Sequence, residues 1–194
     1  MKNIVERSFL DSIEAKRRCL EKNHELLIRA ATVIVDAFNN ENKLMIFGNG
    51  GSAADAQHIA AEFVNRFIIE RPPLPALALT TDSSILTSVG NDYSFDDIFS
   101  KQIKALGMEG DVAWGLSTSG ESANVLAALK VARDRGLRTI CMVGPGAGKM
   151  AEVAQVLLVV DWENTARVQE CQITMAHIIC ELVDYQLFQR LSTK

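Results

Sequence analysis

From residue 43 onward, short apolar runs alternate with longer stretches whose apolar residues recur at helical spacing. The apolar runs predict five strands, at residues 44–48, 76–80, 111–117, 138–144 and 156–161. The stretches between them predict helices at residues 52–66, 83–89, 95–106, 121–135 and 165–191, with Ser52 as the first N-cap and a glycine-rich turn at 145–150. This alternation predicts an α/β fold, a three-layer, doubly wound, five-stranded parallel sheet with helices on both faces.

The chain before this alternation is predicted to be helical. In residues 3–40, apolar positions recur at helical spacing on either side of a polar joint near Asn23 and His24, which predicts two helices. We expect this helical prefix to cover an edge of the sheet or to mediate dimerisation. His24 is expected to be a solvated or capping residue without a functional role.

Composition narrows the class of protein. The 194 residues are 48% hydrophobic and 23% charged, which fits one globular domain with a substantial core. The formal net charge is −4 and no basic run occurs, which argues against nucleic acid as a partner. Without an apolar leader or a run of about 20 apolar residues, we expect a cytoplasmic protein with no membrane contact. The cysteines lack CxxC spacing and are expected to be reduced core residues: Cys19, Cys141, Cys171 and Cys180.

Two loops that follow predicted strands carry candidate chemistry, because ligands of such sheets bind beyond the carboxyl ends of the strands. Residues 48–52 contain three glycines, and residues 117–122 contain four hydroxyls and a glycine before a helix. Hydroxyls and backbone N–H groups at a helix N-terminus can bind phosphate without a lysine. Neither loop is a Walker A motif or a GxGxxG motif, so nucleotide is not indicated. Small residues also occur in turns that bind nothing, but two such loops in one sheet favour a small phosphorylated ligand.

Two pairs of polar residues on predicted helices could act on that ligand. His58 and Glu62 are four residues apart and share a helix face, either as an ordinary surface pair or as a metal or acid–base pair. Gln169 and His177 lie on the last helix, where His177 is flanked by apolar residues and could be a plain core histidine. Eight helical residues separate two side chains by about 12 Å along the axis and about 80° around it. These two could therefore share an ion only from an irregular first turn or from different subunits.

Five segments together carry a specific resemblance: residues 48–52, 58–62, 89–92, 116–124 and 167–170, with His177. With these motifs the chain resembles the sugar isomerase (SIS) family, whose fold is flavodoxin-like, and within it the members that isomerise heptose phosphates. The likeness runs from about residue 43 to residue 182. One small departure is Ala147, which stands where the family often has a second glycine.

The resemblance implies a role for each matching residue. It implies a zinc site and an acid–base pair formed by Glu62 and His177. It also implies a homotetramer with active sites at subunit interfaces, which would answer the geometric difficulty of the last helix. The implied zinc ligands are His58, Glu62, Gln169 and His177. The implied substrate-binding residues are Asn49, Gly50, Gly51, Ser52, Glu62, Asn91, Asp92, Gln169 and, in the phosphate loop, Ser117, Thr118, Ser119 and Ser122.

The implied activity is the conversion of sedoheptulose 7-phosphate to D-glycero-D-manno-heptose 7-phosphate, the first step toward nucleotide-activated heptose for surface polysaccharide. The residue types suit it, since a carboxylate can move a carbon-bound proton and an imidazole can serve the neighbouring oxygens. We expect one SIS domain over residues 1–194, with residues 1–42 as oligomerisation helices and residues 43–194 as the α/β core.

Three other functions remain open. A non-enzymatic relative in the family binds a DNA-replication initiator, but sequences of that type lack the glutamate that matches Glu62. A sugar-phosphate sensor would need only the phosphate loops, without the set His58, Glu62, Gln169 and His177. An isomerase for a different sugar phosphate, such as a ketohexose phosphate, would use the same residue chemistry.

Overall fold

One five-stranded parallel sheet forms the centre of the computed structural model, which describes residues 1–189. Its order is β2-β1-β3-β4-β5, the flavodoxin-like order of a doubly wound sheet, so the predicted fold class is confirmed. The strands fall within the predicted runs, and four of them are shorter than predicted. They are β1 (Leu44–Gly48), β2 (Ala76–Ala78), β3 (Val112–Ser117), β4 (Arg138–Val143) and β5 (Val156–Val159).

The helices connect these strands and differ from the predictions mainly at their ends. The predicted helix at 95–106 is two pieces, a 3-10 turn at Phe95–Asp97 and a helix from Ser100, because Ile98 and Phe99 turn into the core between them. The last helix changes to a π turn at Tyr185–Gln189, and its predicted end at residue 191 lies outside the described residues. Within residues 1–189, no helix combines the length and apolar composition needed to cross a membrane. The helices are α1 (Lys2–Asn39), α2 (Gly51–Val64), α3 (Ser83–Asp92), α4 (Ser100–Leu106), α5 (Ala123–Asp134) and α6 (Thr165–Asp184), and a 3-10 turn spans Gly148–Glu152.

The two faces of the sheet bury separate apolar layers. Along β1, Leu44 and Ile46 pack on the face covered by α1, α2 and α6, while Met45 and Phe47 pack on the face covered by α4 and α5. All four side chains are fully buried, as expected for a central strand of a parallel sheet that is covered on both faces. The layers hold the carboxyl ends of β1 and β3 side by side, which is where the two candidate loops begin.

α1 is one continuous helix of 38 residues, so the prediction of two helices was wrong. The polar residue taken for a joint, Asn23, is fully buried and makes a tertiary contact. Its amide donates to the carbonyl oxygen of Val159 at 2.9 Å, and its carbonyl oxygen accepts from the N–H of Val159 at 3.0 Å. Asn23 thereby pairs with the outer edge of β5 as a neighbouring strand would. The helical prefix covers a sheet edge, one of the two roles predicted for it.

Replacing Asn23 with Leu is expected to lower the free energy of unfolding by about 1–3 kcal/mol, because it leaves two partly buried backbone groups of Val159 without their Asn23 partners and removes the hydrogen bonds of a fully buried amide. Denaturant unfolding measures the change. Asn40→Leu is the matched control, since Asn40 is exposed and, in the part of the chain that the structure describes, its side-chain amide donates to the nearby carbonyl of Asp36. An Asn23→Leu variant as stable as the Asn40→Leu variant would contradict the edge-pairing role.

The amino ends of the central strands are tied by a buried ion pair. Asp111 accepts from the backbone N–H of Lys43 at 2.9 Å, from the Lys43 ammonium at 2.5 Å and from the N–H of Met108 at 2.8 Å. Burial by itself would raise the pKa of Asp111, but these donors outweigh it and hold the pKa below its usual range. This pair lies at the end of the sheet opposite the candidate loops, which makes it a reference point for experiments on the site.

Candidate active site

The glycine turn after β1 sets the start of α2. Gly50 is the N-cap, with φ +57° and ψ −120°, a conformation that favours glycine. The prediction that Ser52 is the N-cap was wrong. Its backbone N–H already bonds the carbonyl of Asn49, and its side chain is buried. At Gly51, a Cβ atom would lie 2.6 Å from the amide nitrogen of Gln169. Glycine here therefore lets the Gln169 side chain pack directly against the turn.

A pair of asparagines joins the two candidate loops. Asn49 donates to Asn124 at 2.8 Å, and Asn124 donates back to Asn49 at 2.9 Å. Asn124 lies in the first turn of α5, is almost fully buried, and also accepts from the N–H of Val125. The reciprocal amide pair fixes the glycine turn against the start of α5, at the point where the strand order of the sheet reverses.

The loop after β3 gathers three hydroxyls. Ser117 Oγ lies 2.9 Å from Ser122 Oγ and 3.4 Å from Ser119 Oγ, and it accepts from the N–H of Gly120 at 3.1 Å. Ser117 is buried at the end of the strand, while Ser119 is exposed and Thr118 is half-buried. Ser122 is the N-cap of α5, and within residues 1–189 its side chain makes no cap bond, so its hydroxyl remains available to a ligand although Asn124 already accepts from the N–H of Val125. Hydroxyls and N–H groups at a helix N-terminus form a cradle suited to phosphate.

Three side chains of types that can bind a metal converge between α2 and α6. His58 Nε2 lies 2.9 Å from His177 Nε2 and 3.3 Å from Glu62 Oε1. The three donor atoms all lie within 4.8 Å of one another, close enough to share one ion. His58 and Glu62 come from one face of α2, as the spacing predicted, and His177 comes from α6. His177 is not a plain core histidine, because it is only half-buried and its ring nitrogen faces another ring nitrogen.

The donor set fits a zinc-type ion. Without a metal, one of the two facing Nε2 atoms must carry a hydrogen, since two lone pairs at 2.9 Å would repel. An ion bound between them would replace that hydrogen and accept both lone pairs together with the Glu62 oxygen. Two imidazoles and a carboxylate are a common set of three protein ligands for catalytic zinc, with a further position left for substrate or water.

Gln169 is linked to this cluster by Asp55, an acidic residue that the sequence analysis did not single out. Its amide nitrogen donates to Asp55 Oδ2 at 3.0 Å, which leaves its carbonyl oxygen for a ligand. Burial raises the pKa of Asp55, and the bond from Gln169 and the nearby charges of His58 and His177 oppose that rise. α6 is regular from Thr165 onward, so Gln169 does not occupy an irregular turn, one of the two arrangements considered from the sequence.

Asn91 and Asp92 are the predicted site residues that this chain does not bring to the cluster. They are exposed at the end of α3, where Asn91 donates to Asp92 at 2.8 Å. α3 contains no buried residue. Ile85 within it and Tyr93, its C-cap, are both exposed. Their part in substrate binding stays a prediction.

Sequence reasoning missed four residues that shape the site, and two of them had a usable signal. Asp55 lies three residues before His58 and seven before Glu62, on the same helix face, so the i, i+3, i+7 spacing pointed to it. Asn124 stands in the same motif as the serine loop. Phe67, whose ring stacks on His177 at 5.4 Å, and Arg71 follow α2 in an irregular segment and had no such pattern.

Comparison with known proteins places the chain in a family. The model of the SIS domain family matches residues 8–144. A phosphoheptose isomerase of Nitratidesulfovibrio vulgaris (strain Miyazaki F) is 49% identical over 190 residues, 98% of this chain and 91% of that protein. A phosphoheptose isomerase of Aquifex aeolicus is 50% identical over 186 residues, 96% of this chain and 97% of that protein.

Solved structures agree with these sequence relatives. The phosphoheptose isomerase of Neisseria gonorrhoeae superposes with a TM-score of 0.89 at 44% identity, covering 94% of this chain and 98% of that one. The family match over more than half of the chain, together with close likeness across nearly the whole length of these enzymes, confirms the predicted family. The chain therefore belongs to the SIS-domain family and, within it, to the phosphoheptose isomerases.

Proposed function

We propose that this enzyme converts sedoheptulose 7-phosphate to D-glycero-D-manno-heptose 7-phosphate, the first step toward nucleotide-activated heptose for surface polysaccharide. The observation that carries the proposal is the convergence of His58, Glu62 and His177 within 4.8 Å. The cluster lies behind a glycine turn that Asn49 and Asn124 tie to a phosphate cradle. The near full-length likeness to phosphoheptose isomerases supports the same substrate class.

The reaction needs one carbon-bound proton and two oxygen-bound protons to move. A base takes a proton from C1 while the C2 carbonyl oxygen gains one, which gives a 1,2-enediol. The C1 hydroxyl then loses its proton and C2 gains one, which leaves an aldehyde at C1 and a hydroxyl at C2. Atoms and electrons balance within the sugar, so no redox partner is required.

Glu62 and His177 are assigned to these transfers. Glu62 is the base that moves the proton between C1 and C2, since a carboxylate at 19% side-chain exposure is partly shielded from water yet open to substrate. His177 serves the oxygens at C1 and C2, because its imidazole can both donate and accept near neutral pH. The stacked Phe67 ring holds the His177 ring in one orientation.

Zinc is the proposed cofactor, held by His58, Glu62 and His177, with the carbonyl oxygen of Gln169, from the same or a neighbouring subunit, as a further ligand. When bound, the ion would polarise the substrate carbonyl and stabilise the enediolate oxygens. Asp55 supports this arrangement, because it accepts the amide hydrogen of Gln169 and leaves the amide oxygen exposed to a ligand.

Substrate binding is assigned to the loops. Ser117, Thr118, Ser119 and Ser122 hold the phosphate, and Asn49, Gly50, Gly51 and Ser52 form the wall that faces the sugar, with Glu62 and Gln169 behind it. A phosphate anchored remotely from C1 and C2 orients the reacting carbons, so that binding energy contributes to the rate.

The proposal also includes a homotetrameric assembly and a cytoplasmic location. The first half of α1 exposes an apolar stripe in which Phe9 is 69%, Leu10 58% and Ile13 64% exposed, as expected if residues 1–42 associate with other copies in a homotetramer. Asn91 and Asp92 would then reach a site from a neighbouring subunit. The four cysteines are free and buried, which supports a reducing, cytoplasmic setting.

The direct test is incubation of the purified, zinc-loaded enzyme with sedoheptulose 7-phosphate in D2O, followed by NMR. We expect the heptose 7-phosphate to accumulate and deuterium to appear at C2, because the enediol exchanges its carbon-bound proton. No product and no exchange would contradict the proposal. Binding of a replication initiator without turnover would favour the non-enzymatic function, and binding of sugar phosphate without exchange would favour a sensor.

Replacing Ser119 with Leu is expected to raise KM for sedoheptulose 7-phosphate by about 10-fold or more, while kcat for bound substrate changes less. Ser119 is exposed at the mouth of the cradle, so a branched apolar side chain would exclude phosphate from the hydroxyls without disturbing the core. Ser119→Thr is the matched control, because it keeps the hydroxyl. An unchanged KM in Ser119→Leu would remove this loop from the phosphate site.

A further inference from the structure

A buried ion pair lies where the chain leaves α2, the helix that carries His58 and Glu62. The side chain of Arg71 is 1% exposed and that of Asp184 is 5% exposed, and Arg71 Nε donates to Asp184 Oδ1 at 2.8 Å. Arg71 belongs to the segment between α2 and β2, and Asp184 is the last residue of α6. The pair therefore joins the two helices that carry the three metal-binding side chains.

The remaining donors of Arg71 close the open end of α2. Nη2 donates to the carbonyl oxygen of Glu62 at 2.8 Å, and Nη1 donates to that of Phe63 at 2.6 Å. These carbonyls lie in the last turn of the helix, which has no basic residue of its own. The residue whose carbonyl Arg71 holds is the same Glu62 whose carboxylate enters the cluster.

The partner of Arg71, Asp184, lies on the helix that carries His177. Asp184 follows His177 by seven residues, two helical turns, and so lies on the same face of α6. The guanidinium is planar and its donors are fixed in direction, so bonds to Asp184 and to the Glu62 carbonyl set both the separation and the rotation of the helices. The segment 65–75 makes a second contact of this kind, since Phe67 stacks on the His177 ring.

Stability alone accounts poorly for such a pair. Removing two charges from water costs free energy that the attraction between them often fails to recover, so a well-packed apolar pair would serve stability as well. Within residues 1–189, the second carboxylate oxygen of Asp184 is buried without a hydrogen-bond partner, which adds to that cost. The ion pair can fix the spacing of α2 and α6 more precisely than apolar packing could, because apolar contacts have little directional preference.

We infer that Arg71 and Asp184 are positioning residues for the His58–Glu62–His177 cluster. They hold α2 and α6 at the separation at which the three donor atoms can share one divalent ion. This inference rests on the proposed metal site but not on the proposed substrate. It predicts that the pair controls metal affinity through the spacing of the helices, although neither side chain contacts the ion.

The test is titration of the metal-free, full-length protein with Zn²⁺ against a chelating dye, with the Co²⁺ absorption spectrum as a second readout. We expect Arg71→Met and Asp184→Asn to weaken metal affinity about 10–100-fold and to alter the Co²⁺ spectrum. Arg71→Lys keeps the charge but has a single ammonium group in place of the planar guanidinium. Its metal affinity should lie between that of these two variants and that of the unaltered protein.

Asp111→Asn is the matched control, since it breaks a buried ion pair at the opposite end of the sheet. It is expected to lower Tm without changing metal affinity or the Co²⁺ spectrum. Arg71 and Asp184 variants that lose Tm but bind metal as the unaltered protein does would overturn the inference. If Arg71→Met does not fold, Asp184→Asn and Arg71→Lys decide. An unaltered protein that binds no metal would also overturn it, whereas failure of turnover with sedoheptulose 7-phosphate would count only against the proposed function.

Discussion

Glu62→Gln is expected to lower kcat for sedoheptulose 7-phosphate by about 10²–10⁴-fold, and His177→Gln by a similar factor, because each removes a group that transfers a proton. Glutamine keeps the size of both side chains closely enough for the fold to persist. Quenched time points analysed for heptose 7-phosphate measure kcat. Deuterium exchange at C2 should fall with kcat in Glu62→Gln, since that variant lacks the base for the carbon-bound proton.

Two controls separate chemistry from metal binding in these variants. Glu70→Gln should leave kcat within about twofold, because the side chain of Glu70 is 90% exposed and, among the described residues, pairs with Arg66 on the surface. Metal content must be measured in each variant, since both residues also belong to the donor cluster. A variant that retains zinc but loses turnover supports the acid–base assignment, and full activity in both variants would refute it.

Removal of the metal is expected to reduce the rate by about 100-fold or more, and added Zn²⁺ should restore it, because the ion would supply charge stabilisation that the protein donors do not. His58→Ala should show the same loss without restoration, since it removes one of the three converging donors. Turnover before and after chelation, with zinc measured by elemental analysis, checks both statements.

His24→Ala is the control for the histidine substitution, because His24 is exposed on α1 and, within residues 1–189, its ring pairs with the adjacent Glu25. It should leave both activity and zinc content unchanged. A chelated enzyme that keeps its full rate and holds no zinc would remove the metal from the mechanism. His58 would then be a positioning partner for His177 through the contact at 2.9 Å.

Local pattern was sufficient for the larger part of the fold. The five strands lie where the apolar runs predicted them, because apolar residues dominate all five. The central strands β1, β3 and β4 are almost wholly buried, whereas the edge strands β2 and β5 are only partly buried. The helix with His58 and Glu62 was equally predictable, since four-residue spacing needs only local geometry. Asn23 was misread because a polar residue within a helix looks like a break, and only its bonds to Val159 explain its place.

Ala147 shows how backbone conformation escapes sequence reasoning. The resemblance implied a glycine at this position, and the φ of Ala147, +50°, lies in the left-handed region that favours glycine. Ala147 therefore adopts a backbone conformation that favours glycine, in a turn that contains none of the proposed catalytic residues.

The sequence by itself determined the order of strands and helices, the two candidate loops and the pairing of His58 with Glu62. These features depend on neighbours within a few residues, whose geometry the backbone dictates. Only the tertiary structure decided that His177 faces His58, that Asp55 holds Gln169, that Asn49 pairs with Asn124 and that Arg71 joins Glu62 to Asp184. Each of these contacts involves segments far apart in the chain, and their distances are set only by the packing of α2 and α6 on one face of the sheet and of α5 on the other.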